Sequence, residues 1–153
     1  PGSVPIHLDG WVLTDDNDIH VNLTGILPAG DYTILERTDD RTLSSAPPGA
    51  IYTGALSDSG ERMRLIDPSG NEVDVVNPGG EAWPAGDAES RSSMERVEDG
   101  WATFAGDYGR GLDASGQTIR GTPGAANSVV AAMAISEALA CAERGARLSR
   151  PCP

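Results

Sequence analysis

The sequence predicts an all-β domain closed by one C-terminal amphipathic α-helix. Two observations carry the β assignment. Gly (19) and Pro (11) are abundant in the 153 residues and sit mostly between short apolar runs, which is how strands are punctuated. Apolar and polar residues alternate with period two at 19–23, 62–65 and 72–75, the pattern of half-buried strands. The helix rests on a third. After Gly124 the composition changes, and 128–144 are alanine-rich without Gly or Pro.

Taken in order, residues 1–10 read as extended or loop-like, and Trp11 to Leu13 opens a strand. Asp15-Asp16-Asn17-Asp18 is a turn, after which Ile19, Val21 and Leu23 alternate with His20 and Asn22. The two strands form a hairpin with an acidic tip. Pro28-Ala29-Gly30 turns the chain into a strand expected from Tyr32 to Glu36, with apolar side chains on both faces. Residues 37–50 are polar and Pro-rich and are expected to form a long surface loop. A short strand is expected from Ile51 to Thr53. The clearest hairpin spans 62–76, where Met63 and Leu65 alternate with Arg62 and Arg64, Pro68-Ser69-Gly70-Asn71 turns, and Val73 and Val75 alternate with Glu72 and Asp74. Residues 77–91 form a loop around Trp83. Ser92 to Val97 is a strand, Asp99-Gly100 turns it, and Trp101 to Phe104 adds another short one. Gly-rich residues 105–126 are expected to wrap the surface. The helix over 128–144 is capped by Asn127 or Ser128 and ended by Gly145. At 1.5 Å per residue it is about 25 Å long, too short and too charged for a membrane span. Its stripe of Ala131, Ile135, Ala138, Leu139 and Ala142 is expected to cover apolar surface of the β domain.

Composition excludes some chemistry. Net charge is −12, which disfavours sequence-independent nucleic-acid binding, with Arg91 and Arg96 as a weak local basic patch. All 11 basic residues are Arg, so lysine nucleophiles and Schiff bases are absent. Aromatics are few, with 3 Trp, 3 Tyr and 1 Phe, so the core is expected to be aliphatic with a few large rings as anchors. The two cysteines, Cys141 and Cys152, fit either a disulfide pinning the tail in an oxidising compartment or two free thiols. They cannot alone make a four-ligand zinc site. No signal peptide or membrane span is visible. The chain begins PGSVPIHLDGW and reads as a piece of a longer protein.

No catalytic, cofactor-binding or metal-binding residue is assigned, and no cofactor is expected. The cluster of Asp15, Asp16 and Asp18 offers oxygens for Ca²⁺ but lacks the Gly and distal Glu of an EF-hand loop, so it reads as an acidic hairpin tip. Asp39-Asp40 and Glu98-Asp99 read the same way. There is no G-x-S-x-G, and His7 and His20 lie in no triad context. Carboxylate pairs of glycosidase type arise by chance among 23 acids. GDYGRG at 106–111 lacks the Lys-Ser/Thr of a P-loop. Asn22-Leu23-Thr24 matches a glycosylation sequon but lies in an expected strand.

The β portion resembles the lamin-tail domain family. The residues concerned are LDGWVL at 8–13, LPAGDYTIL at 27–35, GALSDSGERMRLID at 54–67, EVDVV at 72–76, WP at 83–84, SMER at 93–96, Trp101 and GTPGAAN at 121–127. Their order and spacing over roughly 6–127 carry the likeness, with Trp11, Trp83 and Trp101 as expected packing anchors and Arg96 as an expected partner for a carboxylate. The resemblance implies an immunoglobulin-like β-sandwich at 1–127, with 128–153 as a helix and tail packed on it. It also implies a binding or tethering role, in bacteria within secreted or surface proteins. One departure is that the family has one or two strands before its LDGW-like segment, with an N-E pair and an E-W-I-E-L-like run, and here about seven residues precede Leu8. The gap is expected to be filled by the alanine-rich helix together with a strand from a second copy, or by a separate fragment.

The function expected from these readings is a non-catalytic binding or tethering module of a larger secreted or cell-surface protein, not an enzyme. Its partner would be a protein, peptide or glycan, met at an exposed sheet edge or at the loops 37–50 and 105–120. Two alternatives are an accessory domain of an extracellular nuclease or phosphoesterase, and a structural self-association domain that forms homo-oligomers by strand addition.

Overall fold

The computed structural model describes residues 2–15, 17–107 and 109–128. Within them the chain is nearly all β. Ten short strands follow in order: β1 Ile6–His7, β2 Val12–Thr14, β3 His20–Asn22, β4 Ile26–Leu27, β5 Leu35–Arg37, β6 Ala50–Tyr52, β7 Met63–Ile66, β8 Glu72–Val76, β9 Met94–Val97 and β10 Gly100–Thr103. The expected helix at 128–144, Cys141 and Cys152 lie outside the described residues, apart from Ser128.

The centre is a four-stranded antiparallel sheet in the order β3-β2-β7-β8. Leu13 stands opposite both Val21 and Leu65, so one face of three adjacent strands is aliphatic. Ile19, Val21 and Leu23 are buried to 1%, 4% and 6% exposure, while His20 and Asn22 between them are exposed. The period-two pattern read from 19–23 therefore sets which face goes inward. Against this triad pack Leu8, Trp11, Leu13, Met63 and Leu65, together with Leu35, Ala50 and Tyr52 from the β5–β6 pair.

The β5–β6 pair is parallel, with Leu35 opposite Ala50 and Arg37 opposite Tyr52. Parallel neighbours need a crossover of about a dozen residues, and residues 38–49 supply it. The strand expected from Tyr32 to Glu36 starts later than its apolar pattern suggests. Tyr32 and Thr33 are exposed and outside the ladder, because pairing begins where β6 arrives, with the N–H groups of Gly49 and Ala50 donating to the Ile34 carbonyl. Residues 1–10 are likewise not all loop. Ile6 and His7 pair with Leu27 and Ile26, and the flanking N–H groups of Leu8 and Gly30 donate to the carbonyls of Gly25 and Gly2. This pairing is between segments far apart in sequence, which local periodicity does not report.

β9 and β10 form a tight hairpin with Trp101 opposite Arg96, and the guanidinium lies over the indole at 4.9 Å from its centroid. Arg96 also meets Asp74 at 3.3 Å, which is the carboxylate partner expected for it. Trp11 packs on the core cluster, and Trp83 ties the 77–91 loop down by donating from Nε1 to the Ser57 carbonyl at 2.8 Å.

Truncating Ile19 to Ala is expected to lower stability by about 2–5 kcal/mol, through lost burial and a residual cavity. His20→Ala, one residue on and facing water, is expected to change it by no more than about 0.5 kcal/mol. Urea unfolding measures both. A larger effect at His20 would mean that the strand faces the other way.

Candidate functional site

The two loops expected to carry the binding surface come together. The N–H and hydroxyl of Ser44 both donate to the Leu112 carbonyl, at 2.9 and 3.1 Å. Leu43 is buried to 4% exposure, and a Cβ on Gly111 would stand 2.5 Å from its Cδ1, so the loops are in direct contact. Gly111 also has φ of +80°, so any larger residue there would be strained and would push the loops apart. The loop at 37–50 is thus anchored by an inward leucine, unlike the wholly superficial loop its polar composition suggested.

Along the first of these loops lies an open cleft of about 730 Å³, formed by residues of 39–47 such as Asp39, Arg41, Leu43, Ser45 and Pro47, with Ala114 as the one lining residue from the second loop. That is within the size range of small-ligand and peptide side-chain pockets. Asp39 and Arg41 form an ion pair at its rim, and the Arg41 guanidinium holds the Asp39 carboxyl below the usual carboxylate range. Beneath the loop Glu36 is 2% exposed. Its Oε2 accepts the Thr42 N–H at 3.1 Å, while Oε1 is buried with no partner among the described residues.

The acids of this chain do consistent work elsewhere too. Asp67 Oδ1 accepts the N–H groups of Ser69 and Asn71. Asp113 Oδ1 accepts those of Ser115 and Gln117 in the same spacing. Both turns read Asp-x-Ser-Gly followed by Asn or Gln, and Gly70 and Gly116 supply the left-handed φ that such hairpin loops need. Asp15 Oδ1 accepts the N–H groups of Asn17 and Ile19, and Asp18 Oδ2 accepts the Ala55 N–H. The expected acidic hairpin tip is therefore a capped turn. Asp16 lies outside the described residues. No cluster of three or more His, Cys, Asp or Glu placed to hold a metal occurs among the described residues.

A second deeply buried carboxylate besides Glu36 is Glu95, at 3% exposure on β9. Its Oε1 accepts the Thr122 hydroxyl at 2.8 Å, and its Oε2 accepts both the N–H and the hydroxyl of Ser128. The neighbouring Asn127 donates from Nδ2 to the Arg96 carbonyl. The GTPGAAN segment is thus fastened to β9 by side-chain hydrogen bonds rather than by a ladder. Asn127 and Ser128, expected to cap a helix, spend their side chains on this contact.

No family model, curated protein or solved structure matches this chain.

The sheet edge considered for strand addition is blunted at β8. Leu65 faces Asp74 but Ile66 faces Glu72, so Val73 is a bulged extra residue, 53% exposed. The Asp74 carboxylate accepts the Val75 N–H at 2.9 Å and also meets Arg96. A bulge and an ion pair on an edge strand both oppose pairing with another chain. At the other edge, Gly54 lies so close to the Asp18 carbonyl that a Cβ would fall 2.7 Å from it. His7 and His20 lie on separate two- and four-stranded sheets. No helix among the described residues is long and apolar enough to cross a membrane.

Glu95→Ala leaves the Thr122 hydroxyl and the Ser128 N–H without their acceptor. It is expected to cost about 2–4 kcal/mol in urea unfolding. Glu98→Ala, on the exposed turn of the same hairpin, is expected to change stability by about 0.5 kcal/mol or less. Equal effects would remove the special role of Glu95.

Proposed function

We propose that this chain is a non-catalytic binding or tethering module of a larger secreted or cell-surface protein, built as an immunoglobulin-like sandwich of the lamin-tail type. The sandwich reading is supported by the four-stranded sheet and the β5–β6 pair, which share one aliphatic core. The lamin-tail reading is supported by the ordered motifs from LDGWVL to GTPGAAN.

The binding reading is carried by the open cleft along loop 37–50, which Ala114 also borders, with the loop held in place by Leu43 and by the Ser44–Leu112 hydrogen bonds to loop 105–120. Loops anchored on a rigid sheet are the usual place for recognition. Anchoring also lowers the entropic cost of ordering them on a ligand. The cleft combines a buried leucine, serine hydroxyls and a rim ion pair, a mixture suited to a peptide or glycan. Strand addition at β8 is the less favoured mode, given its bulge and ion pair. An accessory role that uses metal at the acidic turns is also less favoured, because Asp15, Asp67 and Asp113 are occupied with backbone N–H groups.

A thermal-shift screen of peptides, glycans and candidate proteins tests this. One ligand class is expected to raise the melting temperature saturably, with about 2.7 kcal/mol of stabilisation at a hundredfold excess over Kd. Ser45→Arg, which places a large side chain in the cleft, is expected to abolish that response and leave the unliganded midpoint within a few degrees. A response that survives Ser45→Arg would place binding elsewhere, and turnover of any ligand would contradict a non-catalytic role.

A further inference from the structure

A second concavity, of about 230 Å³, lies between the turn at 87–92 and the hairpin at 112–118 with the segment that follows it. Its walls include Ser90, Arg91, Asp113, Gln117, Ile119 and Arg120. Backbone contacts join the two sides, as Ser93 donates its N–H to the Arg120 carbonyl at 2.8 Å.

Two guanidiniums stand in this one small space. Arg41, Arg62, Arg64 and Arg96 each lie within 4.0 Å of a carboxylate. Arg91 and Arg120, like Arg37 and Arg110 elsewhere, have no carboxylate that close among the described residues. In a chain of net charge −12, these two cations border one concavity, where the nearby carboxylates of Asp113 and Asp87 feel their charge from more than 4.0 Å away.

Both are held in position. Arg120 donates from Nε to the Oγ of Ser92 at 2.9 Å, and Ser92 is itself 6% exposed and hydrogen-bonded to the Ser90 hydroxyl. That fixes the guanidinium plane through its inner nitrogen and leaves the two terminal nitrogens as a fork. Arg91 has φ of +55°, in the left-handed region that costs a non-glycine residue roughly 1–2 kcal/mol. Glycine would be cheaper there.

The nearby acids limit the charge of any ligand. Asp113 is held below the usual carboxylate range by the Ser115 hydroxyl, then by backbone N–H groups, with the charge of Arg91 adding to this. Asp87 is held low by Ser90 and by backbone N–H groups, with Arg120 adding. Both stay anionic at neutral pH and repel a polyanion, while their Oδ1 atoms are already engaged in their own turns.

We propose that this pocket binds a single carboxylate group of a peptide ligand, gripped by the Arg120 fork and Arg91, with the Gln117 amide as a neutral donor beside it. The site is independent of the larger cleft, which shares only the 113–117 turn with it through Ala114.

Acetylglycine is the probe, titrated into the isotopically labelled full chain at constant ionic strength and followed by amide and arginine side-chain NMR, with inorganic phosphate and sulfate as separate titrations. Saturable shifts are expected at 90–92 and 117–120, including the Arg120 Nε–H. Affinity is expected to fall about tenfold or more in Arg120→Gln, as for loss of a hydrogen bond to a charged group. Arg91→Gly removes the backbone strain, so the fold is expected to persist, verified by an otherwise unchanged amide spectrum, while affinity falls. Three results would overturn the proposal: no saturation by acetylglycine, unchanged affinity in Arg91→Gly, or phosphate or sulfate binding as tightly as acetylglycine.

Discussion

The hydrogen bond from a backbone N–H to a carboxylate is the interaction on which this structure most depends. The buried apolar side chains among the described residues are Ile19, Val21, Leu23, Leu43 and Phe104, and three of these form one cluster. Such a core fixes the sheet but cannot by itself order the long connections. Those connections are ordered by acids: Asp9 receives the Gly25 N–H, Glu36 the Thr42 N–H, and Asp18 the Ala55 N–H. Asp67 and Asp113 close two five-residue turns, and Glu95 fastens the GTPGAAN segment. Hydrogen bonds to a charged acceptor are about twice as strong as neutral ones, and each also satisfies a backbone group that a loop would otherwise leave to water.

The same constraint shapes the surfaces available for function. Loops 37–50 and 105–120 can meet because their bases are pinned, one by Glu36 and Leu43, the other by the Asp113 turn. The sheet edge that might otherwise recruit another strand is closed by the bulge at Val73 and by the Arg96–Asp74 pair, itself stacked on Trp101.

The sheet was legible in the sequence because its signals are local. Alternation at 19–23 gave the buried face of β3, and Pro68-Ser69-Gly70-Asn71 gave the β7–β8 hairpin. Pairings between distant segments were not legible. The β1–β4 ladder and the parallel β5–β6 pair depend on tertiary contact, and Tyr32 and Thr33 carried a strand-like pattern but lie outside the ladder. The capping role of the acids was not legible, since a carboxylate on a polar turn looks the same in sequence whether it faces water or caps the turn. One signal was present, the twice-occurring Asp-x-Ser-Gly with Asn or Gln next, which specifies the same capped loop at 67 and 113. Nothing local distinguished Leu43 in its polar stretch, or Glu95 on a strand where its neighbours are ordinary. The pairing of Arg91 with Arg120 in one pocket, in place of Arg91 with Arg96, likewise depends on how β9 and the 112–120 segment meet.

Stability as a function of pH tests the role of these acids most directly. Asp67, Asp87 and Asp113 are held below the usual carboxylate range by side-chain hydrogen bonds from Asn71, Ser90 and Ser115 in turn, with backbone N–H groups adding. Asp15 is held low by the backbone N–H groups of its turn in spite of the opposing effect of burial, and Asp39 by Arg41. A depressed folded-state value means that the unfolded chain takes up protons first. The stabilisation is then complete above the unfolded carboxylate range, near pH 4, and is lost as pH falls through the folded values below it. Urea midpoints measured from pH 7 to pH 2.5 are expected to hold down to about pH 5 and to drop steeply below about pH 4. If self-repulsion at net charge −12 governed the fold instead, the midpoint would rise as acid removed the charge, and that result would contradict the account.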